Sequence, residues 1–112
     1  MVYMVVKDLE KIIKEVETLG IDSTIRKLID SYPSFKKDLE DMKTYAELAE
    51  KSAESCDYSD ALSYLSNVET LIGIIGKEMR TVEDMMRLIT VGTIVRSKLV
   101  DILKVKCGCK IK

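Results

Sequence analysis

Residues 35–56, FKKDLEDMKTYAELAEKSAESC, and residues 61–79, ALSYLSNVETLIGIIGKEM, decide the fold. In the first, Phe35, Leu39, Met42, Ala46, Ala49, Ala53 and Cys56 step alternately by four and three residues. Ala61, Leu65, Val68, Ile72, Ile75 and Met79 repeat that stepping in the second. A 4,3 alternation lays apolar side chains along one seam of an α-helix and packs helices near-antiparallel with a left-handed lean. The break between the two seams is short, and Asp57 is placed to cap the second helix, so the pair reads as an antiparallel hairpin. The predicted helices are Pro33–Ser55 and Tyr58–Ile75. The small residues in the second half of the first seam admit a close neighbour.

The same reading extends outward in both directions. Leu9, Ile12, Ile13, Val16 and Leu19 predict a helix over Lys7–Leu19, which Gly20 ends. Asp22 or Ser23 is suited to cap a short second helix reaching Ser31, before Tyr32-Pro33 interrupts. After Gly76, Thr81-Val82-Glu83-Asp84 has the form of a capping box with Asp in the Glu position, opening a helix over Val82–Val105. Its seam is Met85, Leu88, Gly92, Val95, Leu99 and Ile102, with further apolar residues on both flanks. An apolar arc that wide belongs either to a central helix or to a subunit interface. We expect a homodimer through Met85, Leu88, Val95, Leu99 and Ile102, which Leu99→Asp would dissociate. The expected fold is therefore all-α, a single-domain antiparallel bundle of four to five helices over residues 1–112, ending in a short basic Cys-x-Cys tail, residues 106–112.

Composition narrows function mostly by exclusion. At 46% hydrophobic and 33% charged residues, with one Pro in 112 residues, the chain is globular and long enough to bury a core. No run of eighteen apolar residues occurs, which predicts no membrane span. The apolar start, Met1–Val6, is too short for a signal-peptide core and meets Lys7-Asp8, so we expect a cytoplasmic protein, starting at Met1 or Met4. There is no His, Trp or Gln and one Asn, beside many Ile, Lys and Glu, a thermophile-like composition. Without His there is no Ser/His/Asp or Cys/His set, and no phosphate-cradling glycine loop follows a strand. The chain is expected to be non-enzymatic.

Three binding readings remain. The leading one is an adaptor that recognises another protein and self-associates through its helices. The second comes from charge. Residues 38–76 hold two basic and nine acidic side chains, whereas residues 77–112 hold nine basic and four acidic. Lys77, Arg80, Arg87, Lys104 and Lys106 are candidates for a phosphate-binding stripe on nucleic acid, although no aromatic residue interleaves them. The third rests on Cys107-Gly108-Cys109, whose two thiols can share a soft metal such as zinc or join two chains; flanking lysines favour the thiolates. The plainer reading of the tail thiols is that they are incidental. Cys56 reads as a packed turn residue, with an intracellular disulfide open to it in a hyperthermophile. Apart from zinc, no cofactor is expected.

Tyr45, Leu48 and Ala49, the Cys56-Asp57-Tyr58 turn, and Ala61, Leu65 and Val68 resemble a tetratricopeptide-repeat hairpin over residues 45–68. The same Ala-rich helix, Asp-Tyr turn and Ala-Leu helix resembles small archaeal helical-bundle families of unknown function. The first resemblance implies a helical hairpin. Neither implies an activity or assigns a functional residue.

Overall fold

The computed structural model describes residues 2–108, with side chains described from Lys7 onward. Its helices are α1 (Val2–Leu19), α2 (Ile21–Ser31), α3 (Lys36–Glu54), α4 (Tyr58–Gly76) and α5 (Val82–Cys107). A 3-10 turn, Pro33–Phe35, leads into α3, and proline suits its first position, where an N–H would have no helical partner. No strand occurs among the described residues, and the all-α bundle is the fold that forms.

Local chemistry sets most boundaries. Gly20 adopts φ +88°, and its N–H closes α1 on Val16 O at 2.9 Å. Its carbonyl already accepts from the Thr24 N–H and from Thr24 Oγ1, at 3.1 and 2.8 Å. One residue thus ends α1 and starts α2, so α2 begins at Ile21. Asp22 sits within the first turn, where its charge suits the helix dipole, and makes no cap hydrogen bond. The caps expected at Asp57 and Thr81 form: each side-chain oxygen accepts from a backbone N–H three residues on, at 3.0 and 3.1 Å. The last helix runs two residues past Val105, to Cys107, and stops where Gly108 turns left-handed, φ +56°.

α3, α4 and α5 form the centre in an up-down-up arrangement. Glu50 meets Lys98 and Cys56 meets Cys107, so α3 and α5 run parallel, while Gly92 lies beside Ile72 and Arg96 pairs with Glu69, so α4 runs antiparallel to α5. Gly92 permits the α4–α5 approach, since a Cβ there would lie 2.5 Å from Ile72 Cδ1. Apart from Cys56 and Met85 at their ends, the three 4,3 seams face inward. Leu39, Met42, Val68, Ile75 and Leu88 are buried together with residues of α1 and α2. A second cluster at the other end joins Ala49, Ala53 and Ala61 to Leu65, Leu99 and Leu103. The alanines let the helices close up there, at the cost of apolar area.

Candidate functional site: the outer ridge of α5

The subunit interface expected on α5 needs correction. Leu88, Val95 and Leu99 are 0%, 4% and 3% exposed within a single chain, and Ile102 is half-buried. They face α3 and α4, so this seam cannot meet a second copy without unfolding. Met85 alone among the five is open, at 38%. With Val82 at 59% and Ile89 at 51% it forms a different stripe, stepping 82, 85, 89 on the outer side of α5.

That stripe runs into a ridge with a groove on each side. Ile89, Thr93 and Ser97 line both grooves. One, between α1 and α5, has a volume of about 710 Å³ and is walled by Leu9 and Ile13. The other, between α4 and α5, has about 410 Å³ and is walled by Glu69 and Ile72. The first continues past Gly20, Ile21, Ile94 and Lys98 into a cleft of about 560 Å³ between the α1–α2 turn, α3 and α5. Ala46, Val95 and Leu99 reach the cleft, and ion pairs Lys98–Glu50 (3.1 Å) and Lys43–Asp22 (3.8 Å) stand beside it. These surfaces combine apolar contact with hydroxyls of Thr93 and Ser97 and rim charge.

At the N-terminal end of α5 lies a polar latch that periodicity did not reveal. Tyr32, 5% exposed, donates its hydroxyl to Asp84 Oδ2 at 2.6 Å and accepts from the Arg80 N–H at 2.9 Å. The Arg80 guanidinium lies 4.8 Å from the Tyr32 ring centre and donates to Ser31 O at 2.7 Å. Arg87 donates to Glu15 at 2.7 Å and to Asp84 at 2.8 Å. Its hydrogen bond and charge hold the Glu15 carboxyl below its ordinary range. Burial pushes Asp84 upward, but hydrogen bonds from Tyr32, Thr81 and Arg87 outweigh it and hold Asp84 low. Asp84, expected to serve as a capping-box acid, instead binds α2 to α5. Its signal in the sequence was Tyr32 beside Pro33, but a contact 52 residues away has no periodicity to announce it.

The basic candidates do not gather into one stripe. Arg87 is held by two carboxylates with its side chain 18% exposed, and Arg80 is folded onto Tyr32. Lys77 and Arg80 precede α5, whereas Lys104 and Lys106 lie in its last turn, so the length of that helix separates them, roughly 35 Å at 1.5 Å per residue.

The cysteine expectation also changes. Cys107 forms a disulfide with Cys56, 51 residues earlier, and Cys109 lies outside the described residues. Cys107 therefore presents no thiolate to a metal in this state. Among the described residues, no group of three or more His, Cys, Asp or Glu is placed to hold a metal ion. No helix there is long and apolar enough to cross a membrane. No protein-family model, curated protein or solved structure matches the chain.

Proposed function

We propose that this chain is a non-enzymatic protein-interaction module that pairs with a second copy of itself along the outer ridge of α5. The observation that carries the reading is the Ile89–Thr93–Ser97 ridge between two grooves. A ridge beside a groove is self-complementary: a twofold axis crossing α5 near Ile89 lays each ridge into the other copy's groove. The open stripe of Val82, Met85 and Ile89 is contiguous, unlike single exposed residues such as Leu62 on α4, which need no partner.

On this reading the cleft between α3 and α5 remains open in the dimer and receives a segment of a different protein, which makes the dimer an adaptor. Native mass spectrometry of the wild-type chain and Ile89→Lys tests the proposal. Two-chain mass for the wild type, insensitive to reductant and chelator, with one-chain mass for the variant, is the expected result. A wild-type chain that stays single overturns the pairing. A dimer lost on reduction or chelation transfers assembly to the cysteines.

A further inference from the structure

Cys56 occupies a backbone position that normally selects glycine. It follows α3 with φ +57°. Its N–H reaches Ala53 O at 3.0 Å, and the Asp57 N–H reaches Ser52 O at 2.9 Å. Those two bonds define the helix ending in which the left-handed residue is most often Gly. A residue with a Cβ is disfavoured there. What the side chain provides in exchange is its sulfur, bonded to Cys107 in the last turn of α5. A local rule broken in this way points to a use for the residue that breaks it.

The surroundings indicate what the use is. Beyond Leu99, α5 is thinly held: of residues 100–107 only Leu103 is fully buried, and Val105 is 83% exposed. The wall it rests on joins Ala49, Ala53 and Ala61 to Leu65, and the three alanines offer little apolar area. Cys56 itself is exposed, whereas Cys107 is half-buried.

We propose that Cys56–Cys107 is a thiol-exchange site at which a dithiol reductant unlocks the C-terminal turns of α5. The attacking thiolate approaches the sulfur of Cys56, the more exposed residue of the pair, and forms a mixed disulfide with it. The electron pair of the broken S–S bond leaves on Cys107 Sγ, which takes up a proton from solvent; Ala53 O, 3.5 Å away, is placed to accept the resulting S–H. The reductant's second thiol then displaces Cys56 as a thiol and closes the reductant's own disulfide. Two electrons and two protons pass to the protein in total. Once the bond is gone, buried Leu103 and half-buried Ile102 are the main apolar anchors of residues 100–107, and that segment opens while the rest of α5 stays packed. The opening removes the support behind Leu99, which lines the cleft between α3 and α5. The inference does not depend on the dimer.

Hydrogen exchange of the full chain, labelled for seconds with and without dithiothreitol and read by mass spectrometry, tests it. Peptides from untreated protein should contain Cys56 linked to Cys107. Reduction should remove protection across residues 100–107 and leave residues 85–95 protected. The double variant Cys56→Ser/Cys107→Ser should show the reduced pattern without reductant, and Cys109→Ser should respond as the wild type does. Retained protection at 100–107 after reduction overturns the proposal. So does simultaneous loss over 85–95, which would make the bond a staple of the whole fold, or free Cys56 in untreated protein. If the double variant fails to fold, titrating the wild type with dithiothreitol gives the same decision.

Discussion

Replacing Tyr32 by phenylalanine removes one oxygen atom from the latch between α2 and α5 and leaves the buried ring in place. That oxygen donates to Asp84 and accepts from the Arg80 N–H. A hydrogen bond to an ionised carboxylate is worth about 1.5–3 kcal/mol, and the neutral one about 1. Asp84 keeps Arg87 and Thr81, and its side chain is 18% exposed, so water recovers part of the loss. The expected destabilisation of Tyr32→Phe is about 2 kcal/mol near neutral pH. With an unfolding entropy of about 2.1 cal/mol/K per residue, the melting temperature should fall by about 8 °C. Circular dichroism melts across pH then separate the charged bond from simple packing. Asp84 is held below its ordinary value of 3.8, so its contribution is complete above that pH and is lost as pH falls through the lower folded value. The gap between wild type and Tyr32→Phe should therefore be widest above pH 5 and narrow in acid. A gap independent of pH, or a shift of only a degree or two at neutral pH, would refute the argued role of the Tyr32–Asp84 bond.

Two further outcomes follow from the packing. Leu99→Asp places a carboxylate at a site 3% exposed, so it should abolish the cooperative melt and not merely separate folded subunits; a folded, monomeric Leu99→Asp protein would contradict the inward-facing seam. Loss of the Cys56–Cys107 bond frees a loop of sequence separation 51 in the unfolded chain, for which chain entropy gives about 4 kcal/mol as the upper end. A reductant-dependent fall in melting temperature of about 10 °C or more is expected, and an unchanged melt would contradict a native disulfide.

Much of the bundle could be read from spacing, because a buried helix face needs one apolar residue every three or four positions. The seams through Leu39, Val68 and Leu88 and the caps at Asp57 and Thr81 all follow from such local rules. Periodicity states that Leu88, Val95 and Leu99 share a face, but it is silent on what covers that face. The covering came from α3 and α4 of the same chain, which moved the open surface round to Val82, Met85 and Ile89. The cysteines illustrate a second limit. Proximity in sequence pointed to Cys107 with Cys109, whereas pairing with Cys56 depends on α3 and α5 running parallel, a feature of topology. Arg87 shows a third: a basic residue at stripe spacing looks available to phosphate until Glu15, 72 residues away, is found beside it.

The proposed pairing is tested most directly by cross-linking at the ridge. In a Cys109→Ser background, Ile89→Cys and Leu62→Cys each add one exposed thiol, the first on the α5 ridge and the second on α4. A short bismaleimide should join two copies of the Ile89→Cys protein at low concentration and leave the Leu62→Cys protein as single chains. Equal cross-linking of both, or none at Ile89→Cys, would contradict a dimer built on the outer ridge of α5.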